Sequence, residues 1–209
     1  MVAVRVYVEG GGDSRRLKRH CRHGFSELFR KVAPAGRMPS VVACGPRWSA
    51  YKVFCADLPK YQKAFCMLLV DSEGAVREGV GPWASLKARA ADSWDKPKGA
   101  ADDQAHLMVQ CMEAWFLADR DSLAKYYGQG FRANALPART DIESISKDDL
   151  YRDLKEATRQ AQSKGEYKEG SHAFDLLALI APALVREASP HAERLFATLA
   201  RVAEGRQRI

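Results

Sequence analysis

The chain has 209 residues, enough for one sizeable domain or for one domain with a helical appendage. Its 33 lysines and arginines against 26 acidic residues leave a formal charge of +7, a tilt towards polyanionic partners. Five cysteines, an odd number with no Cys-x-x-Cys pair, argue against a secreted disulfide framework. The first residues do not read as a signal peptide and the longest apolar run is too short to span a bilayer, so a cytoplasmic protein with no membrane partner is expected.

Residues Val2–Val8 alternate and are rich in valine, which predicts the first strand. Glu9, three glycines at 10–12 and Asp13 follow it. That glycine spacing is neither a dinucleotide fingerprint nor a phosphate loop, so it reads as a tight strand-to-helix turn open to close approach by a ligand. Leu17, Cys21, Leu28, Phe29 and Val32 recur at helical spacing, and Gly24 is expected to interrupt or divide that helix. The opposite face carries Arg15, Arg16, Lys18, Arg19, Arg22 and Arg30, as a phosphate-backbone contact or as an ordinary solvated face. His20, Cys21 and His23 lack a second ligand group at finger spacing and read as helix surface and core, not as a zinc site. Residues 33–39 make a loop.

Ser40–Cys44 is expected as the second strand, ending at Gly45-Pro46-Arg47, with Ser49 capping a short helix that holds Tyr51, Phe54, Cys55 and Leu58. Ala64–Val70 is apolar without alternation. That marks a central strand covered on both faces, and hence parallel α/β packing. Asp71 and Glu73 follow it. Ligands of open α/β sheets bind outside the carboxyl ends of the strands, where Glu9 and Asp13 would meet Asp71 and Glu73. Carboxylates crowded there repel one another and need a cation, which predicts a site for a hard divalent ion, Mg²⁺ or Mn²⁺.

Further on, a short helix over 83–91 and a polar loop over 92–103 lead to residues 104–118, QAHLMVQCMEAWFLA. Their almost unbroken apolar character predicts a buried helix. Cys111 within it, like Cys44 and Cys66 in the strands, would behave as a small hydrophobe. Glu113 lies there between Met112 and Ala114, and a carboxylate so placed must be protonated, paired with a base or bound to metal. Asp119 falls near the end of that helix. A helix over 122–127, an irregular stretch over 131–145 broken by Pro137, and a helix from a Ser146 cap to about residue 162 come next. The basic loop 164–170 carries Lys164 and Lys168. Helices over 173–187 and 189–203 close the pattern, Pro182 kinking or dividing the first and a Ser-Pro pair opening the second.

Glu9 in YVEGGGD and Asp71 with Glu73 in LLVDSEG resemble the Toprim domain of topoisomerases, bacterial primases, recombination factors and the overcoming-lysogenization-defect nucleases. There a glutamate ends the first strand and an acidic-x-acidic pair ends a later central one. Glu73 departs from the commoner aspartate but keeps an oxygen ligand. Through VEGGGD, LLVDSEG, HLMVQCMEAWFLAD and YKEGSHAFDLLALIAP, which cover most of the sequence, the chain is similar to the DUF4276 family of Toprim-like bacterial proteins.

Residues and resemblance together imply a Toprim-like α/β core over 1–120, a mostly parallel sheet flanked by helices. A helical region over 121–209 would pack on it and contribute a Lys/His loop. The function they imply is a metal-dependent phosphodiesterase, an endonuclease of DNA or RNA, and relatives of this type imply a phage-defence setting with an ATPase partner. Glu9, Asp71, Glu73 and Glu113, with Asp13, would hold the Mg²⁺ or Mn²⁺, while Lys168 or His172 would contact the scissile phosphate or transfer a proton. Arg15, Arg16, Arg19, Arg47, Lys164 and Lys168 would contact the nucleic acid. Two rivals stay open: a nucleotidyl or other phosphotransfer enzyme using the same acidic centre, and a non-catalytic nucleic-acid-binding subunit of a larger complex. A topoisomerase would need a tyrosine nucleophile in a dedicated DNA-cleaving module, and none surrounds Tyr51, Tyr126 or Tyr151.

Overall fold

The computed structural model describes residues 3–34 and 36–205, so Val2 of the expected first strand and Ala35 of the expected loop lie outside the described residues. Strands β1 (Ala3–Val8), β2 (Ser40–Ala43), β3 (Ala64–Asp71) and β4 (Ala105–Met108) form a parallel sheet in the order β2-β1-β3-β4. β1 and β3 have partners on both sides, and the central place of β3 is why its residues read as one apolar run. Val8 stands beside both Ala43 and Leu69, so the carboxyl ends of the two central strands reach one rim together.

Helices cover both faces of this sheet. They are α1 (Arg15–Arg30), α2 (Arg47–Asp57), α3 (Pro82–Ala88), α4 (Arg120–Tyr127), α5 (Lys147–Thr158), α6 (Ser171–Leu179), α7 (Pro182–Ala188) and α8 (Pro190–Ala203). The alternation of each strand divides the core in two. Val4, Val6, Val8, Met67, Leu69 and Met108 point towards α1 and the C-terminal helices α4–α8. Tyr7, Cys66, Leu68, Val70, Ala105 and Leu107 point towards α2 and α3. No helix among the described residues is long and apolar enough to cross a membrane.

Several expectations are corrected. Residues 104–118 are buried but are not an α-helix: 105–108 hydrogen-bond to β3 as β4, and 112–118 follow as a 3-10 helix. A continuous apolar run carries no period, so a strand inside it is invisible until it finds an edge to pair with. Gly24 neither interrupts nor divides α1. It is buried where α1 crosses α6, and a side chain there would stand 2.6 Å from the Phe174 carbonyl oxygen. α2 begins at Arg47 behind Pro46, with Ser49 already inside it. α5 stops at Thr158, whose hydroxyl accepts the Tyr167 amide at 2.7 Å and turns the chain back. Pro182 divides rather than kinks, opening α7 as a separate helix.

Candidate metal centre

Glu9 follows β1, and its amide donates to the Leu69 carbonyl at 3.0 Å, extending the ladder by one residue. Asp71 is the last residue of β3, and its own amide donates to Glu9 Oε2 at 3.1 Å. Asp71 Oδ1 in turn accepts the Met112 amide at 2.9 Å, so the 3-10 helix after β4 braces that carboxylate. Glu73 adopts a left-handed backbone at φ 61°, uncommon for a residue with a side chain. It is held there by its amide on the Gln110 carbonyl at 2.9 Å and by its carboxylate on Lys147. One oxygen each from Glu9, Asp71 and Glu73 lie within 4.8 Å of one another.

Two cations flank the three acids. Lys147, the first residue of α5, donates to Glu73 Oε1 and Oε2 at 2.9 and 3.0 Å, and its ammonium is 3.8 Å from Asp71 Oδ2. Arg47 donates to the Asp71 carbonyl oxygen and lies 3.6 Å from Glu9 Oε2, anchored behind by Asp92 at 2.7 Å. Burial pushes the Glu9 carboxyl up to about 7 even though Arg47 and the Asp71 amide pull the other way. Asp71 is raised well above the usual carboxylate range, first by burial and then by the Glu9 and Glu113 charges. Burial disfavours the Lys147 charge, but the Glu73 hydrogen bonds and the Asp71 charge outweigh it and raise its pKa.

Glu9 and Asp71 open into a pocket of about 400 Å³ lined also by Gly10–Gly12, Gly45, Met112, Glu113, Tyr151, Glu169 and Phe174, while Glu73 lines a separate hollow with Ser72, Gly74 and Arg77. A larger pocket of about 800 Å³ lies elsewhere, among Asp119, Arg139 and Leu184, but the three-acid cluster is not there. Gly10 and Gly45 pair across the mouth by amide–carbonyl bonds of 2.9 and 3.0 Å. Gly45 has φ +84°, and a side chain on it would meet the Gly12 carbonyl at 2.5 Å, so glycine is what lets the two loops close on the rim.

The remaining predicted residues fall at varied distances from this centre. Glu113 is 4% exposed and lines the pocket, yet lies outside the converging three-acid group. The Tyr167 hydroxyl donates to it at 3.1 Å, and burial raises its pKa. Asp13 is exposed and also lies outside the group. His172 is buried, its Nδ1 accepting the Lys168 amide at 3.3 Å and standing 3.1 Å from the Tyr127 hydroxyl. Burial, then the Lys168 charge, lowers its pKa. Lys168 itself is exposed, and the pocket is lined instead by its neighbours Glu169 and Gly170. Lys164 lies over the Tyr126 ring at 4.6 Å, and Arg15, Arg16 and Arg19 are exposed on α1.

Sequence reasoning missed Lys147, Asp92, Tyr151, Tyr167 and Glu169. Tyr167 and Glu169 lie within the YKEG motif but carried no assigned role, and Lys147 left a signal of its own. A lysine directly after a helix cap opposes the helix dipole, where acids are favoured, and such a residue is placed for another purpose.

Oxygen ligands of one hard divalent ion lie about 2.0 to 2.6 Å from it, so any two stand within about 4 to 5 Å of each other. The three carboxylates meet that spacing, and their donors suit Mg²⁺, Mn²⁺ or Ca²⁺ better than a soft metal. Fold and site thus define a parallel α/β protein with a candidate divalent-cation centre at the carboxyl rim of its sheet. The family model for the domain of unknown function DUF4276 matches residues 8–200, and the chain belongs to that family. No curated protein and no solved structure matches it.

Proposed function

We propose that the chain is a divalent-cation-dependent phosphodiesterase, an endonuclease acting on DNA or RNA. The observation that carries this is the convergence of Glu9, Asp71 and Glu73 within 4.8 Å at the sheet rim, between two cationic side chains. A glutamate after the first strand and an acidic pair at the end of a central strand is also the arrangement behind the Toprim resemblance. The chemistry a divalent ion supplies at such a site is Lewis-acid polarisation of a phosphoryl oxygen. The chain's own part is to fix the carboxylates and shape the charge. Asp71 is braced by the Met112 amide and Glu9 by the Asp71 amide, while Lys147 holds Glu73 and sets a positive charge beside the pocket. Glu113 supports the same pocket from its inner wall. The phage-defence setting and the ATPase partner belong to this reading through the family resemblance, and the cytoplasmic location through the unpaired cysteine pattern.

The test is cleavage of single- and double-stranded DNA and RNA by purified protein with Mn²⁺ or Mg²⁺. Wild type is expected to cleave at least one of them. Asp71→Asn should lose more than about a hundredfold in rate, and Lys147→Met about tenfold or more, with melting curves still cooperative. Cleavage that survives Asp71→Asn sinks the assignment. Metal-dependent transfer of a nucleotidyl group without hydrolysis would point to the phosphotransfer alternative, and binding without any turnover to a silent subunit.

A further inference from the structure

Beside the acidic rim, α2 presents one aromatic ring to solvent and a second half-buried. Trp48, in the first turn of that helix, is 59% exposed. Tyr51 and Lys52 stand three and four residues on, so the three side chains share one flank of the helix. Lys52 Nζ lies 5.7 Å from the centre of the Trp48 ring. Tyr51 stacks on Trp94 with ring centres 4.5 Å apart and planes 3° from parallel, and its hydroxyl donates to the Asp95 carbonyl at 2.7 Å. The Arg47 guanidinium lies over the same Trp94 ring at 4.9 Å while its other side reaches Glu9 and the Asp71 carbonyl. One arginine therefore ties this aromatic flank to the candidate metal centre.

Tyr51 and Trp94 cover each other and stiffen the flank. Trp48 keeps its ring towards water with a lysine beside it. We propose that Trp48 is a stacking platform for an unpaired nucleobase, so that the substrate is single-stranded nucleic acid. Every base offers a π-face once it is unstacked, and aromatic rings interleaved with cations bind such strands without regard to sequence. A duplex hides those faces inside its stack. A protein partner is less well matched, since the exposed Trp48 ring has the exposed Lys52 beside it on a chain of net charge +7, and that charge complements a polyphosphate backbone. The proposal rests on the nuclease reading for its biological sense, but it is measured by binding.

Labelled oligothymidylate, oligouridylate and a duplex of the same length are titrated with wild type, Trp48→Ala and Trp48→Phe in EDTA, and again with Ca²⁺. Trp48→Ala is expected to weaken single-strand binding about tenfold or more and to leave duplex binding within about twofold. Trp48→Phe should stay within about threefold of wild type. Either polymer satisfies the proposal, and oligodeoxyuridylate, which shares its base with oligouridylate, then identifies the sugar. A Trp48→Ala protein with wild-type melting and undiminished single-strand affinity overturns it, as does an equal loss on the duplex. Trp48-dependent binding without cleavage keeps the platform and removes the nuclease reading. A wild type that binds no polynucleotide under either condition overturns both.

Discussion

Glu9 shares the electrostatic cost of the site with Asp71. Its carboxyl is lifted from 4.5 to about 7 by burial, so in the metal-free protein it holds a proton that the unfolded chain has already lost. A folded-state pKa above the unfolded one makes Glu9's contribution to stability fall as pH rises from 4.5 to about 7. His106 acts in the opposite sense. It is fully buried, its pKa is lowered to about 3 by burial and by Arg194, and its contribution is lost as pH falls below 6.5. A bare stability profile would therefore mix the two. The cation separates them, because a divalent ion must displace the protons that burial favours on Glu9 and Asp71 and does not involve His106. The rise in melting temperature produced by Mn²⁺ should be small at pH 5, grow through pH 7 and level off about one unit above it. Glu9→Gln should weaken that dependence and cut the shift at pH 8 by roughly half or more, because the amide oxygen carries no negative charge to balance the ion. A wild-type shift equally large at pH 5 and pH 8 would remove Glu9 from the coordination set.

At the scale of elements, the position of α1 depends on a missing side chain. α1 and α6 approach so closely at Gly24 that an added methyl would stand 2.6 Å from the Phe174 carbonyl oxygen and 3.2 Å from its Cα. Those are backbone atoms and cannot rotate aside. Gly24→Ala would gain about 1 kcal/mol of helix propensity in an isolated helix. Here the clash should win, with a net loss of roughly 1 to 3 kcal/mol in urea unfolding. A more stable variant would mean that the two helices separate easily. The same glycine shows where the sequence stops being legible. Its propensity suggested a break, and only the partner helix explains why it is needed. β1 and β3 were readable because valine alternation and a two-sided apolar run are local patterns. β4 was not, since Ala105–Met108 become a strand only by pairing with Leu68–Asp71. The 3-10 helix after it depends likewise on a tertiary bond, the Met112 amide on the Asp71 carboxylate at 2.9 Å.

Across the whole molecule, what could be read of the site was the part that sits at strand ends. Glu9, Asp71 and Glu73 are placed by β1 and β3, and the sheet brings their oxygens together. Lys147 and Asp92 come from segments 74 and 21 residues beyond Glu73 and Asp71 respectively, and no local pattern ties either to the rim. The charge distribution follows the same division. Arg47 and Lys147 are consumed by the acids, whereas Arg15, Arg16 and Arg19 stand exposed on the helix that leaves the glycine turn. A single strand lying along this face of α1 would meet all three, and each phosphate they neutralise would release counterions. Log affinity for a single strand should therefore fall linearly with log salt, and replacing all three by alanine should reduce the slope by about 2, at about 0.7 per phosphate contact. Affinity at low salt should fall with it, while the Mn²⁺-induced melting shift stays at its wild-type value because no carboxylate has been touched. A triple variant with an unchanged slope would return α1 to the status of a solvated face, and leave Lys52, Lys164 and Lys168 as the cations to replace next.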